Sequence, residues 1–441
     1  MSLVADADAD IDGTATDPES VPGRTLRPEV DPFYDPPEAL DGYRPGAVLR
    51  SRRVEVALFG RIPQQVQAWQ LLYRTSDMDG APEATVTTVL LPCDADPTVA
   101  RPVVSYQCAI DAVAPKCLPS YALRRGARAF GAVPQFELLI IAGILARGWA
   151  LSVPDHVGTA GRFGVPREPG YRILDGLRAA LSFAPLGLDA APPIGLWGYS
   201  GGGLATSWAA ELAAEYAPEL DIVAGFAGSP VGDPTRAVAQ LNRWVSGAAA
   251  SGLVALCIAG LRRAYPDLDR MRPRFSAGFL DLLAYTEFAA TIQIVLRGAV
   301  TRLSDDGNDL TELLAHPEVR TALAEVRPGD RPPGIPMFIV QGVNDFIVPA
   351  AAIDEHVARY RAGGTHVRYV RDRLSGHISL AVIAAPIVGD WLDAHFADRK
   401  PEADRDSTAT VWSMALSVQG VTGHLRQALL AVRLFTGRRF S

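Results

Sequence analysis

A serine set between glycines marks the point where this chain changes from the pattern of a strand to the pattern of a helix. Residues 194–197 are apolar and lead into residues 198–202, which read Gly-Tyr-Ser-Gly-Gly with Ser200 at the centre. Beyond Gly203, large side chains recur at steps of four on one helical face: Leu204, Trp208, Leu212 and Tyr216. The sequence therefore predicts a strand, a sharp turn and a helix, with Ser200 at the turn.

Such a turn suits a serine nucleophile. It exposes the hydroxyl to a base and to a substrate carbonyl, and flanking glycines let the helix backbone pass close to the strand. This arrangement is the nucleophile elbow of the α/β-hydrolase fold. The five-residue pattern alone is weak evidence, because a turn of small residues also forms where a helix merely packs on a sheet. The partners of Ser200 must decide between these interpretations.

The length and composition indicate a globular chain with one large domain and an inserted or second unit. The chain has 441 residues and 48% of them are apolar. Its formal net charge of −7 argues against a nucleic-acid partner, since a phosphate-binding surface must be basic. Residues 1–30 are acidic and are predicted to be disordered. They lack the pattern of a signal peptide, so the sequence as written predicts a cytoplasmic or cell-associated protein.

Strand and helix patterns organise the rest of the chain. Residues 46–92 contain β-rich stretches separated by turns, and from residue 103 to residue 226 strands alternate with helices. Alternation implies a parallel sheet whose active site lies beyond the carboxyl ends of the strands. We therefore predict an α/β-hydrolase fold, with a mostly parallel central sheet and helices on both faces.

The alternation stops between residues 230 and 328, where only helical patterns and turns occur, and it resumes at residue 337. An uncharged stretch at residues 245–261 is slightly shorter than a bilayer span of about 20 residues, so we interpret it as a buried helix. We expect the insertion to form a cap over the active site. The predicted units are a core at 31–230 and 328–398, a helical cap at 231–327, and a linker with an amphipathic helix at 399–441.

The base and the acid that would serve Ser200 follow late strands. Asp345 comes directly after an apolar strand pattern at residues 337–340, and His377 lies in the predicted loop after the next strand, at residues 367–370. Both positions satisfy the chain order Ser, Asp, His of hydrolase sheets. We therefore predict a triad of Ser200, Asp345 and His377.

Other candidates fit less well. The alternatives to catalysis are that Asp345 only forms a turn and that His377 is a solvated loop residue. Asp372 is too close to His377 in the chain to replace Asp345 easily, and His156 precedes Ser200, so we leave it out of catalysis. The other histidines after Asp345 lie in predicted helices, at a strand start or in the tail: His356, His366, His395 and His424.

An oxyanion hole needs two donors aimed at the developing charge. The backbone N–H of Gly201, directly after the nucleophile, is one of them. The other should come from the loop after the strand at residues 103–106, but no His-Gly-Gly-Gly sequence occurs there. The residues alone leave the second donor open within residues 107–111.

Taken together, several segments resemble the secretory lipases of the Candida antarctica lipase A type. The similarity runs from about residue 31 to residue 398, and its motifs lie at residues 32–37, 106–111, 117–121, 154–158, 198–202 and 376–377. The resemblance implies an α/β-hydrolase with a helical cap that acts on acylglycerols and other carboxylic esters. It also implies that Asp111 joins Gly201 in the oxyanion hole. That family is typically exported, and its late residues often form a flap.

The expected function is therefore a serine hydrolase of carboxylic esters, most specifically a triacylglycerol lipase working through an acyl-enzyme. Two alternatives stay open: a short-chain carboxylesterase with the same triad, and a non-catalytic lipid-binding protein on a hydrolase fold. The mechanism requires no metal and no cofactor. An ester is the expected partner, with lipid-surface contact through the cap or the C-terminal helix as a further expectation.

Two features of the periphery are also predicted. Cys117 and Cys257 would tie cap to core if bridged, and a buried thiol is the equal alternative. The tail from Ser407 contains no acidic residue and has an apolar helical face. We favour packing of that face on the core or cap over binding to an anionic membrane. The residues that form it are Val411, Met414, Val418, Val421, Leu425, Leu429 and Val432.

Overall fold

A computed structural model describes residues 25–188, 191–244, 248–303, 310–397 and 406–440. Most of the predicted acidic segment and much of the predicted linker lie outside the described residues. Of the predicted acidic segment the structure describes residues 25–30, where Pro28 is buried and the Thr25 hydroxyl donates to the Arg125 carbonyl at 2.5 Å.

Twelve strands are formed by the described residues. They are β1 Val48–Arg53, β2 Ala57–Leu58, β3 Ile62–Pro63, β4 Val66–Ser76, β5 Pro82–Pro92, β6 Val103–Gln107, β7 Ala150–Pro154, β8 Ile194–Tyr199, β9 Ile222–Gly228, β10 Met337–Gly342, β11 Val367–Asp372 and β12 Ser407–Val411.

The α-helices of the described chain are α1 Pro119–Ala122, α2 Pro134–Leu145, α3 Glu168–Ser182, α4 Gly201–Tyr216, α5 Pro234–Trp244, α6 Ala248–Leu261, α7 Ala277–Thr286, α8 Thr291–Gly298, α9 Leu310–Ala315, α10 Pro317–Val326, α11 Ala350–Ala362, α12 His377–Phe396 and α13 Val418–Thr436.

Ten of these strands form one sheet within the described residues, in the order β1-β4-β5-β7-β6-β8-β9-β10-β11-β12. The pairs from β7 to β12 are parallel and those among β1, β4, β5 and β7 are antiparallel. Every residue of β6, β8 and β10 is buried, as expected for strands covered on both faces. The predicted α/β-hydrolase fold class is confirmed.

Two apolar layers cover the sheet. One joins side chains of α2, α12 and α13 to the sheet, and the other joins side chains of α3, α4 and α11 to its opposite face. The helix α12 is long and apolar enough to cross a bilayer, but half of its hydrophobic window is buried in the protein. That burial is typical of a core helix.

Between β9 and β10 the described chain forms α5 to α10 and no strand. These helices have an apolar cluster of their own, which includes Leu256 and Phe279 and extends to Leu204 and Trp208 of α4. The uncharged stretch contributes α6, of which the last part, including Val254 and Ala259, is buried. The insertion therefore packs above the helix that begins at the elbow.

The C-terminal tail differs from its prediction in two ways. Residues 407–411, which were assigned to a single helix with the rest of the tail, form β12 and pair in parallel with β11. The apolar face favoured for packing is instead exposed from Val418 onward, while Met414 is buried. The helix packs on α12 and α2 through its other side, where Gly423 approaches Pro386 too closely to admit a side chain.

All four cysteines are free thiols. Cys117, buried after the β6 loop, donates its Sγ–H to the Ala289 carbonyl at 3.9 Å, a weak sulfur contact to the insertion. The bridge between Cys117 and Cys257 is not formed.

Candidate active site

The turn at Ser200 is strained, and its glycines fit tightly. Ser200 adopts φ +54° and ψ −119°, a conformation that side-chain-bearing residues rarely adopt. A Cβ on Gly198 would overlap the Gly202 carbonyl, and one on Gly202 would overlap the Gln107 carbonyl. The glycines are therefore required by close backbone contacts between β8, α4 and β6. Strand, turn and helix place the Ser200 hydroxyl at the carboxyl edge of the sheet.

Ser200, His377 and Asp345 form one chain of hydrogen bonds. His377 Nε2 lies 2.8 Å from Ser200 Oγ, and His377 Nδ1 lies 2.7 Å from Asp345 Oδ2. Asp345 sits in the loop after β10, as expected from the sequence. His377 is the first residue of α12 rather than a loop residue. Asp345 and His377 are buried, while Ser200 is partly exposed.

The carboxylate of Asp345 is held in its ionised form by donors. Burial raises its pKa, but the hydrogen bond from His377 and the backbone amides of Val348 and Ile347, at 2.9 and 2.8 Å, outweigh this effect. The pKa of Asp345 therefore lies below its ordinary value. Gln341 Nε2 donates at 3.2 Å to Asp345 Oδ2, the oxygen that also contacts His377. An ionised acid in this place fixes the orientation of the His377 ring.

The backbone around His377 is fixed by two further groups. The Tyr199 hydroxyl donates to the His377 carbonyl at 2.5 Å. Asp372, the rejected competitor for the acid, accepts hydrogen bonds from the amides of Leu374 and Ser375 at 3.0 and 2.8 Å. Asp372 therefore shapes the turn that leads into α12.

Asp111 lies directly against the first residue of α4. Its backbone is left-handed, with φ +40°, and a Cβ on Gly201 would overlap its carboxyl oxygen. Burial raises the pKa of Asp111 to about 6, although the neighbouring His377 opposes this rise. The structure thus brings Asp111 and Gly201, the two residues expected in the oxyanion hole, together beside Ser200.

The loop at residues 107–111 is held from the core by buried side chains. The Ala109 amide donates to both carboxyl oxygens of Glu137 on α2, at 3.1 and 3.2 Å. His156 Nε2 lies 2.8 Å from the Cys108 carbonyl. Because that carbonyl can only accept, the proton of the ring is on Nε2. Both contacts fix the backbone just before Asp111.

Sequence reasoning missed Glu137. It is the one acidic residue in a helix that is apolar apart from Glu137 and Gln135, which was the available signal. Burial raises the pKa of Glu137 to about 7, although the hydrogen bond from the Ala109 amide acts to lower it. For His156, burial lowers the pKa to about 4, so the ring is neutral. His156 contacts the loop backbone, in accord with its exclusion from the triad.

The insertion also reaches the site, through two contacts that sequence reasoning did not identify. The hydroxyl of Thr291, the first residue of α8, lies 3.0 Å from the Asp111 carbonyl and 3.2 Å from the Ile110 carbonyl. Gln240 Nε2 on α5 donates to the Asp345 carbonyl at 2.7 Å. Among the described residues, no group of three or more His, Cys, Asp or Glu side chains is placed to hold a metal ion.

Comparisons with known proteins identify one family. The sequence profile of the secretory lipase family matches residues 123–404. The chain is 46% identical over 420 residues to a protein of Mycobacterium tuberculosis named a probable inactive lipase, covering 95% of this chain and 93% of that protein. It is 35% identical over 380 residues to Lipase A of Arthroderma benhamiae, covering 83% of this chain and 79% of the relative.

A solved structure shows the same architecture. The X-ray structure of Candida antarctica lipase A matches with a TM-score of 0.78 and 25% sequence identity, covering 93% of this chain and 95% of the other. The expected resemblance is therefore confirmed. The chain belongs to the secretory lipase family, and the family and the fold support a lipase-type carboxylic ester hydrolase of the α/β-hydrolase fold.

Proposed function

We propose that this protein is a triacylglycerol lipase in which Ser200 is the nucleophile, His377 the general base and Asp345 the residue that orients it. The observation that carries the proposal is the unbroken hydrogen-bond chain from Ser200 Oγ through His377 to Asp345, with distances of 2.8 and 2.7 Å. These are the distances that a nucleophile and its base require.

The proposed reaction begins when Ser200 Oγ attacks the ester carbonyl and His377 Nε2 takes the hydroxyl proton. The ionised Asp345 stabilises the imidazolium that results. Collapse of the tetrahedral intermediate releases the alcohol, which receives the proton from His377 and leaves an acyl group on Ser200. Water, deprotonated by His377, then attacks the acyl-enzyme and releases the carboxylic acid. His377 passes the proton of that water to Ser200 Oγ, so the serine proton leaves with the alcohol and the water proton replaces it.

The negative charge of the intermediate would be stabilised by the Gly201 N–H, at the first turn of α4, and by Asp111. A helix N-terminus favours negative charge, which supports this role for Gly201. For Asp111, a pKa of about 6 means that a substantial share of the carboxyl groups carries a proton in mildly acidic solution. A protonated carboxyl is a donor, whereas an ionised one only accepts.

Hydrolysis of nitrophenyl esters from acetyl to palmitoyl tests the proposal. We expect turnover that increases toward the long acyl chains and that is lost in Ser200→Ala. A preference for acetyl and butyryl esters would instead favour the short-chain carboxylesterase with the same triad. Trioctanoin emulsion assays with the same two proteins extend the measurement to an acylglycerol.

The second candidate is a non-catalytic lipid-binding protein. The name of the Mycobacterium tuberculosis relative, a probable inactive lipase, favours this candidate. A fluorophosphonate reagent, which reacts covalently with activated serines, separates the two functions. An active enzyme is labelled at Ser200, and Ser200→Ala is not. A folded wild-type protein that takes no label and turns over no ester would contradict the lipase proposal.

A further inference from the structure

The last helix, α13, has two apolar sides, and only one of them is covered. Gly420, Gln427 and Leu434 are buried on the side that faces α2 and α12. On the opposite side, Val418, Leu425 and Leu429 are 81%, 65% and 66% exposed. The uncovered side, which we call the outer face of α13, consists of Val418, Val421, Leu425, Leu429, Val432 and Phe435.

The outer face is long and continuous. Its residues recur at steps of three and four over a helix of 19 residues, which is about 28 Å long at a rise of about 1.5 Å per residue. A contiguous exposed apolar stripe of this kind is uncommon on a soluble monomer and marks a contact surface. We therefore expect a binding partner to cover the stripe.

Exposed apolar side chains also connect the outer face to the proposed active site. Leu416 and Trp412, just before α13, are exposed. The Leu374 amide donates to the Trp412 carbonyl at 3.0 Å, and exposed Leu374 lies three residues before His377. Ile378, directly after His377, is 74% exposed. The apolar surface thus begins beside the triad and continues along α13.

The charge around this surface is basic. From Ser407 to the end, the chain has no acidic residue and carries Arg426, Arg433, Arg438 and Arg439. Arg426 and Arg433 follow the outer face along one flank of the helix, at the boundary between its two apolar sides. Within the described residues, none of the four has an ion-pair partner. The Arg373 guanidinium lies 5.0 Å from the centre of the Trp412 ring, at the end nearest the triad.

We propose that the outer face of α13, with Trp412, Leu374 and Ile378, binds the surface of an anionic lipid layer. An amphipathic helix with a basic flank lies in the plane of such a layer, with its apolar side chains among the acyl chains and its arginines at the headgroups. Because the surface extends to His377, this orientation would bring the mouth of the site to the lipid.

A second copy of the chain fits the same surface less well. In a twofold dimer the same patch meets itself, so the arginines of one copy would face the arginines of the other with no acidic residue from the tail between them. An anionic lipid layer offers the complementary charge together with the apolar interior.

Vesicle flotation with the full chain tests the proposal. We expect wild-type protein to bind phosphatidylglycerol vesicles and to bind phosphatidylcholine vesicles at least roughly tenfold more weakly, because each arginine near an anionic surface contributes about 1 kcal/mol. The variant Leu425→Gln/Leu429→Gln removes apolar area at two exposed positions and should lower binding to phosphatidylglycerol by roughly tenfold or more.

Two further variants keep the experiment decisive. Arg426→Gln/Arg438→Gln leaves the apolar stripe intact and should reduce the preference for anionic vesicles. Val99→Gln changes an exposed valine in the loop before β6. This loop lies at the amino end of β6, whereas Ser200 lies at the carboxyl ends of the strands, so the variant should bind as wild type does. Equal vesicle binding by all four proteins would overturn the proposal.

Sedimentation velocity distinguishes the other occupant. If wild type is a dimer in solution and Leu425→Gln/Leu429→Gln is a monomer, the outer face is an interface between copies and the lipid proposal is wrong. A monomer in both cases agrees with the proposal. The vesicle measurement records binding and not turnover, so it stands or fails separately from the proposed hydrolase activity.

Discussion

The loop at residues 107–111 is held at its two ends by different parts of the molecule. On the core side, the ionisable groups Glu137 and His156 bind the backbone of Ala109 and Cys108 from within the apolar layers. On the insertion side, the neutral hydroxyl of Thr291 contacts the carbonyls of the last two residues.

This difference indicates a division of labour. Of these partners only the Glu137 carboxyl can carry a charge at neutral pH; a hydrogen bond to an ionised carboxylate is stronger than a neutral one, and a buried partner that is lost leaves a costly unpaired group. We therefore expect the core to set the position of the loop at residues 107–111, which we call the oxyanion loop, and the insertion to adjust it. An insertion attached in this way can change its contacts without dismantling the site.

The largest effect is expected at the triad itself. Ser200→Ala and His377→Ala should each lower kcat by about four powers of ten or more, with a small residual rate from the oxyanion hole. Esterase assays of purified protein measure the loss, and near-UV circular dichroism verifies that folding is retained. Near-normal turnover in either variant would show that the substituted residue is not catalytic. There would then be no triad for the core or the insertion to align.

The next effect is expected at Gly201. In Gly201→Ala the new Cβ would overlap the Asp111 carboxyl, so that side chain must move out of the oxyanion hole. We expect kcat to fall by roughly 10²-fold, the scale of losing one oxyanion donor.

Gly143→Ala is the matched control for Gly201→Ala. This glycine lies within α2, and a Cβ there would meet no atom within 4 Å. The substitution should leave kcat unchanged and stabilise the helix slightly. If Gly201→Ala retained full activity, the proposed contact between Asp111 and Gly201 would not serve catalysis.

Glu137 tests the core side of the oxyanion loop. Glu137→Ala leaves the Ala109 amide without its buried acceptor, at a cost of about 1–3 kcal/mol. We expect kcat to fall by roughly tenfold with KM little changed, because the loop positions the transition state more than the ground state. Glu137→Gln keeps an acceptor oxygen and should restore most of kcat. A loss in KM alone, or equal losses in both variants, would contradict a positioning role.

Much of this site followed from the sequence, and the reason is local. Ser200, Asp345 and His377 come directly after strands, so chain order and strand ends were enough to select them. Asp111 came only through a family resemblance, since no residue pattern in its loop singles out a donor. Glu137 contacts a loop 28 positions away in the chain, and only the packing of α2 against that loop brings the two together.

The tail shows a different limit. The segment at residues 407–411 is short and was interpreted as part of a helical pattern. Its pairing with β11 places it in the sheet instead. An apolar periodicity predicts a helical face but not what covers it. In α13 the small residues Gly420 and Gly423 permit close packing on the opposite side, and the large apolar residues are left outside.

The pH dependence of stability offers another measure of the core contacts. The pKa of Glu137 is raised to about 7 in the fold, so its stabilising contribution is complete below its unfolded value of 4.5 and is lost as the pH rises through 7. Asp155 behaves alike, since burial raises its pKa to about 7 against hydrogen bonds from Ser120.

Urea unfolding at pH 5, 6, 7 and 8 should therefore show a smaller decline in the free energy of unfolding for Glu137→Gln than for wild type. The slope should change by at most about 1.4 kcal/mol per pH unit, the value for one proton. Asp155 keeps part of the decline in the variant. Identical slopes in the two proteins would mean that Glu137 does not titrate in this window.

The smallest effect is expected on the insertion side. Thr291→Val removes the hydroxyl that contacts the carbonyls of Ile110 and Asp111 while keeping the volume of the side chain. A neutral hydrogen bond contributes about 1 kcal/mol, and only part of it acts on the transition state, so kcat should fall by roughly two- to fivefold. Thr301→Val is the control, because Thr301 lies beyond the end of α8 and its hydroxyl donates, among the described residues, to the Arg297 carbonyl at 2.9 Å. A loss for Thr291→Val as large as that for Glu137→Ala would show that the insertion sets the oxyanion loop as firmly as the core does.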